Sequence, residues 1–159
     1  MRKSILALVL ALAACGCANK DGIVLFGVTL GDDAVHAPKG ELVSSENGRL
    51  RYRFEHMPEL EGEWKCYYEL QGGKVVMIDC FCEGEAYVKD NFNICRDWIR
   101  KNVPYKEASA DDDDCFAVWS DSLCAMCQIN NYSHTVQVMV GLVAKSKKQK
   151  NAKTPDLSK

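Results

Sequence analysis

Apolar and polar positions alternate with a period of two along several stretches of the chain, and with a period between three and four along one. In GRLRYRFEH, Leu50, Tyr52 and Phe54 alternate with Arg49, Arg51 and Arg53; in EWKCYYEL, Trp64, Cys66, Tyr68 and Leu70 alternate with Lys65, Tyr67 and Glu69. A period of two sends successive side chains to opposite faces of a strand, so each stretch predicts a strand with one apolar face. Gln71-Gly72-Gly73 between them and the next apolar run predicts a hairpin turn. That run, KVVMIDCFC, is denser in apolar residues; placing Asp79 toward water assigns Val76, Ile78, Cys80 and Cys82 to the buried face.

Over residues 86–103 the period lengthens. Val88, Phe92, Cys95, Ile99 and Val103 recur every three or four residues among Lys, Asp and Arg, the stripe of an amphipathic helix, and Pro104 ends it. CFAVWS, SLCAMCQIN and HTVQVMVGLVA then read as three further strands, linked by Asp121-Ser122 and by the turn residues at 130–133. Short links of this kind impose antiparallel pairing. Upstream, GIVLFGVTLGDD is a short apolar stretch broken by Gly27 and Gly31; Asp32 and Asp33 are placed to cap a short helix through Val35, closed by Pro38-Lys39-Gly40. The pattern predicts an α+β fold: an antiparallel sheet of about five to six strands with one long helix, at about residues 86–103, packed on one face.

The first residues follow a different logic. Arg2 and Lys3 precede ten apolar residues, 5–14, and small residues follow at Ala13, Ala14, Cys15 and Gly16. That charged, apolar and small order is the order of an export signal. Ten residues are also too few to span a bilayer as a helix, which takes about 20. Leu12-Ala13-Ala14-Cys15 resembles the lipobox of bacterial lipoprotein precursors. The resemblance covers residues 1–15 and implies that Cys15 receives a diacylglyceryl thioether, that the bond before it is cut, and that the new amino group is acylated. Each buried methylene of such chains contributes about 0.8 kcal/mol, and two or three chains make a durable anchor. Gly16 stands where, in enteric-type sorting, an Asp would favour the inner membrane; its place there leans the expectation toward the outer membrane, facing the periplasm.

These readings divide the chain into a signal peptide at 1–14, a lipidated tether at 15–22, a single domain at 23–143 and a disordered basic tail at 144–159. Charge follows the same division. Residues 23–143 hold 20 acids against 11 Lys or Arg, a formal charge of −9, while 145–159 hold six Lys and one Asp, a charge of +5. A tail with so few apolar residues cannot offset its ordering entropy. Its lysines could contact anionic headgroups or acidic envelope polymers, at about 1 kcal/mol each near such a surface. An exported domain of acidic charge is a poor partner for nucleic acid.

Nine cysteines invite chemistry. Setting Cys15 aside leaves Cys17, Cys66, Cys80, Cys82, Cys95, Cys115, Cys124 and Cys127, an even set that in an oxidising compartment suggests disulfides in any of 105 connectivities. The helix stripe aims Cys95 at the sheet face that carries Cys80 and Cys82, so a bridge from Cys95 to one of them is the first expectation, with Cys66 and Cys127 available for the remaining thiol. The opposing reading keeps several thiols reduced, as small core hydrophobes. Cys80-Phe-Cys82 and Cys124-Ala-Met-Cys127 together hold the four thiolates of a zinc site, but strand alternation sends Cys124 and Cys127 to opposite faces, and no metal or other cofactor is expected. Haem attachment is disfavoured by Gln128, which stands where the motif needs His. The run Asp111 to Asp114 lacks the spaced ligands of a calcium loop.

His36, His56 and His134 belong to no recognisable catalytic motif, and no nucleophile and base can be paired, so no catalytic residue is assigned and an enzyme is not the expectation. One surface stands out. Tyr67, Val75, Met77, Phe81, Cys124, Met126 and Met139 alternate onto the sheet face away from the helix, and Tyr67, Met77, Phe81 and Met126 are its partner-surface candidates, unless residues 23–30 fold over them. The functional expectation is a lipid-anchored envelope protein whose small domain binds an envelope protein or polymer or serves a structural role. The alternative is a thiol-dependent envelope enzyme, or a redox or metal-binding protein.

Overall fold

The computed structural model describes residues 22–55, 60–109 and 112–143. The expected signal peptide, Cys15, Cys17, most of the expected tether, His56, Asp111 and the basic segment 144–159 lie outside the described residues. The rest builds two sheets: a two-stranded hairpin of β1 (Val24–Leu25) and β2 (Val28–Thr29), and an eight-stranded antiparallel sheet. The large sheet comprises β3 (Glu41–Glu46), β4 (Arg49–Phe54), β5 (Glu63–Gln71), β6 (Lys74–Glu83), β7 (Glu107–Ala108), β8 (Cys115–Trp119), β9 (Leu123–Asn130) and β10 (Thr135–Leu142). Their spatial order is β3-β4-β5-β6-β10-β9-β8-β7. Two four-stranded meanders thus meet along β6 and β10, and helix α1 (Val88–Asn102) carries the chain from β6 to the far edge of the second.

The expected α+β architecture is present, an antiparallel sheet with one helix packed against it, but the sheet has eight strands and not five to six. The two extra strands are edges. β3, ELVSSE, is bulged between Leu42 and Ser44, which breaks the alternation that would have marked it. Its turn, Asn47-Gly48, has φ values of 51° and 75°, as a two-residue hairpin link with both central residues left-handed requires. β7 is two residues long and too short to show any period. In the upstream segment, Ala34–His36 form one turn of 3-10 helix; Asp33 makes no side-chain cap, and Asp32 instead accepts from the Asp33 amide at 2.9 Å and pairs with His36 Nδ1 at 3.0 Å.

Among the described residues, all buried apolar side chains except Val88 fall in one cluster on one face of the sheet. α1 covers the β9 and β10 part of that face with Phe92, Cys95 and Ile99. The N-terminal hairpin covers the remainder: Leu25 and Val28 join the core, Phe26 packs on Trp64 with ring centroids 5.2 Å apart, and Gly31 and Asp32 exchange backbone hydrogen bonds with Val75. Residues 23–30 therefore lie on the helix side of the sheet and leave the opposite face uncovered by them. Tyr68 closes this layer by donating its hydroxyl to the Pro38 carbonyl at 2.9 Å and stacking on Tyr52.

One bulge corrects the facing of β6. Leu70 pairs with Val75 but Glu69 pairs with Met77, so Val76 has no partner on β5. The extra residue turns Val75 into the core, where it is fully buried, and Val76 out of it. Sequence alternation had placed these two the other way round, because it assumes an unbroken period.

Truncating Ile99 to Ala, in the middle of the α1 stripe and fully buried, is expected to cost about 3 kcal/mol through lost transfer energy and the cavity left behind. Denaturant unfolding should report it, against a null change for the exposed Lys101→Ala.

Candidate functional site

The face away from the helix is organised around Asp79. In β6, Asp79 projects to this face, but it is only 4% exposed and does not face water as its position in the alternation suggested. Arg51 on β4 reaches across the Tyr67 ring, 4.6 Å from its centroid, to donate to Asp79 Oδ2 at 2.8 Å, and it also donates to Glu69 Oε1 at 3.2 Å. The second Asp79 oxygen accepts from Gln137 Nε2 at 2.8 Å, and Gln137 Oε1 accepts from Gln128 Nε2 at 2.9 Å. One hydrogen-bonded chain, Glu69-Arg51-Asp79-Gln137-Gln128, thereby crosses five adjacent strands. A buried carboxylate is tolerated only when it is paired and bonded in this way.

Around that chain sit the partner-surface candidates. Tyr67 and Phe81 meet edge to face with centroids 6.2 Å apart, Met139 is the cross-strand neighbour of both Asp79 and Met126, and Met77 pairs with Glu69. Tyr67, Met77, Phe81, Met126 and Met139 are all half-buried. The structure brings Tyr67, Met77, Phe81 and Met126 onto one face as expected and removes Val75 from it. Neither α1 nor the N-terminal hairpin covers this face. With both Asp79 oxygens engaged, its chemistry is positioning: a rigid polar line flanked by methionine and aromatic surface, suited to packing against a partner and not to proton transfer. Arg51, Asp79 and Gln137 escaped the sequence reading. Their signal was a lone carboxylate inside an apolar strand, two strands from one with three arginines.

The cysteines divide by face. Cys66, Cys80, Cys82, Cys95 and Cys127 are buried in the core, whereas Cys115 and Cys124 are partly exposed on the open face. All seven are free thiols in this structure. Cys124 and Cys127 do point to opposite faces, so the C-x-C and C-x-x-C pairs do not converge, and among the described residues no three His, Cys, Asp or Glu side chains could hold a metal ion. Asp114 is occupied by Asn131, which donates to it at 2.9 Å.

Cys80 stands directly opposite Cys66 on β5, while the thiols that act electrostatically on Cys95 are Cys127 and Cys82. Cys82 is held by Asn91, whose amide donates to its Sγ at 3.3 Å and to the Glu61 carbonyl at 2.8 Å. Gly62 allows this close approach: a Cβ there would lie 2.5 Å from Cys82 Sγ, and its φ of 99° disfavours any side chain.

Burial is the largest influence on the thiols and pushes them away from reactivity. Cys95 is raised far above the ordinary thiol range by desolvation, with Cys127 adding to the effect. Cys127 is pushed up to about 12 by burial and then by Cys115, and Cys80 and Cys82 are raised chiefly by burial as well. Since the thiolate is the nucleophile, none of these four is activated.

No protein-family model matches the chain, and no curated protein matches it. Among solved structures, the chain is similar to the crystal structure of a cysteine-rich secretory protein from Staphylococcus aureus, with a TM-score of 0.37 and 12% identity, over 87% of this chain and 54% of that one. The chain thus spans about half the length of that protein.

Two outcomes follow from this geometry. Arg51→Ala leaves the Asp79 carboxylate with Gln137 alone and is expected to cost about 2 kcal/mol, near the low end for a broken buried pair because Arg51 is partly solvated; urea unfolding measures it. Timed alkylation of the native protein at pH 8 should label Cys115 and Cys124 first, with Cys95 and Cys127 modified only on unfolding. Fast labelling of Cys95 in the folded state would contradict its burial.

Proposed function

We propose that the chain is a lipid-anchored envelope protein whose α+β domain presents the open sheet face to another envelope macromolecule. The observation that carries the binding role is the set Tyr67, Met77, Phe81, Met126 and Met139, apolar side chains on one face that neither the helix nor the N-terminal hairpin covers. A half-exposed apolar patch held on a rigid, hydrogen-bonded platform is the usual character of a protein contact surface, with aromatic and methionine side chains at its centre and charges around it. Arg53, Lys65 and Glu41 supply such a rim here.

The anchoring half of the proposal rests on Leu12-Ala13-Ala14-Cys15 and its resemblance to a lipobox. Among the described residues no helix is long and apolar enough to cross a membrane. Attachment through acyl chains on Cys15, a tether to about residue 22 and a domain standing off the bilayer make a coherent arrangement. The outer membrane, facing the periplasm, is the location favoured by Gly16 in that scheme. The thiol-enzyme reading has less to support it, since burial raises the thiols it would call on.

Two measurements test the two halves separately. Labelled palmitate should enter the wild-type chain and be absent from Cys15→Ser; equal labelling refutes the anchor. A photo-crosslinking residue placed at Phe81 or Met126 in intact envelopes should give the same adduct, and one at the exposed Asp97 on α1 should not. Identical patterns from all three positions would reject the open face as the contact surface.

A further inference from the structure

Cys66 and Cys80 are direct partners in the β5–β6 ladder, and both side chains point into the core, where they are 1% and 0% exposed. Residues directly opposite in an antiparallel pair have Cα atoms about 4.5–5.5 Å apart, within the roughly 4.4–6.8 Å that a disulfide spans. No other pair of described cysteines is opposed in register: Cys127 faces Phe116 and Val138, Cys82 faces Trp64 and Val136, Cys115 faces Gln128, and Cys124 faces Trp119 and Gly141. The juxtaposition also depends on the bulge, since an unbroken ladder running on from Leu70 and Val75 would set Cys66 opposite Asp79.

We propose that Cys66 and Cys80 are joined by a disulfide across the β5–β6 hairpin when the chain folds in the presence of a disulfide oxidant. The oxidant is a small-molecule disulfide or the disulfide of an oxidoreductase. One cysteine thiolate attacks it and releases one thiol, forming a mixed disulfide; the second cysteine, as thiolate, attacks that bond and releases the other thiol. The protein loses two protons and two electrons, and the oxidant's sulfur–sulfur bond is reduced to two thiols. The chemistry belongs to the folding chain, before the hairpin is covered. Once β5 and β6 are sealed beneath the N-terminal hairpin, burial holds the Cys80 thiol in its protonated form and shields it from attack in either direction. A bond closing a loop of about 15 residues lowers the unfolding equilibrium constant on the order of a hundredfold in the chain-entropy model.

The inference does not require the lipid anchor, so its failure and that of the anchoring proposal are separable. The full chain, reduced and denatured, is refolded in detergent with a glutathione redox buffer, trapped with an alkylating agent and digested with trypsin without reductant. Peptide 66–74 should be recovered linked to peptide 75–89, with tandem fragmentation placing the bond on Cys80, and both should separate on reduction. Cys82→Ala should retain the link and Cys80→Ala should lose it. Recovery of Cys66 and Cys80 as alkylated thiols, or of Cys66 bonded to Cys82, Cys95 or Cys127, would overturn the assignment; the wild-type map alone decides this if either variant fails to fold.

Discussion

The pairing of β6 with β10 is the constraint on which the remaining structure depends. Seven residue pairs, from Thr135 with Glu83 to Gly141 with Met77, join two meanders that would otherwise be separate four-stranded sheets. On one side of this seam Val136, Val138 and Val140 meet Cys82, Cys80 and Ile78, and that strip is the centre of the core. On the other side Asp79 meets Met139, and Phe81 meets Gln137. Both the layer that holds the domain together and the open face with its methionine and aromatic side chains are assembled only when the seam closes. Pairing at this sequence separation is the step that pays loop-closure entropy in folding.

The polar line through Asp79 has a corresponding role on the open face. A methionine- and aromatic-rich surface on a bare sheet could slip in register or pair with other sheets. Five bonded side chains on five strands fix the register instead, because a shift by one residue would send every one of them into the core. The thiols show the opposite economy. Five of the seven described are packed as small hydrophobic groups beneath the helix and hairpin, where burial takes precedence over reactivity.

Much of this layout was legible in the chain. Alternation located β4, β5, β8, β9 and β10, and the three-to-four period located α1 to within two residues at either end. What could not be read has physical reasons. β3 is a polar, bulged edge whose only clear signal was the Asn47-Gly48 turn, and β7 is two residues long. Asp79 was assigned to water because a carboxylate in a strand ordinarily goes there; its partners, Arg51 and Gln137, lie 28 and 58 residues away, and no local pattern connects them. The facing rule likewise aimed Cys95 at the right sheet surface but could not choose among its thiols, since which strand passes beneath the helix is a matter of topology.

Val76 gives the hairpin an odd count, and the consequence concerns length more than identity. Val75 and Met77 keep Leu70 and Glu69 as their partners on either side of it, so the ladder closes around a single unmatched unit. Exchanging its side chain for another of similar size leaves the phase intact. Removing it would set Val75 directly before Met77 and leave every pairing and every face as they are, whereas a further residue added to the same strand would need a second unmatched place, so the hairpin would accept the loss of that one letter far more readily than a gain.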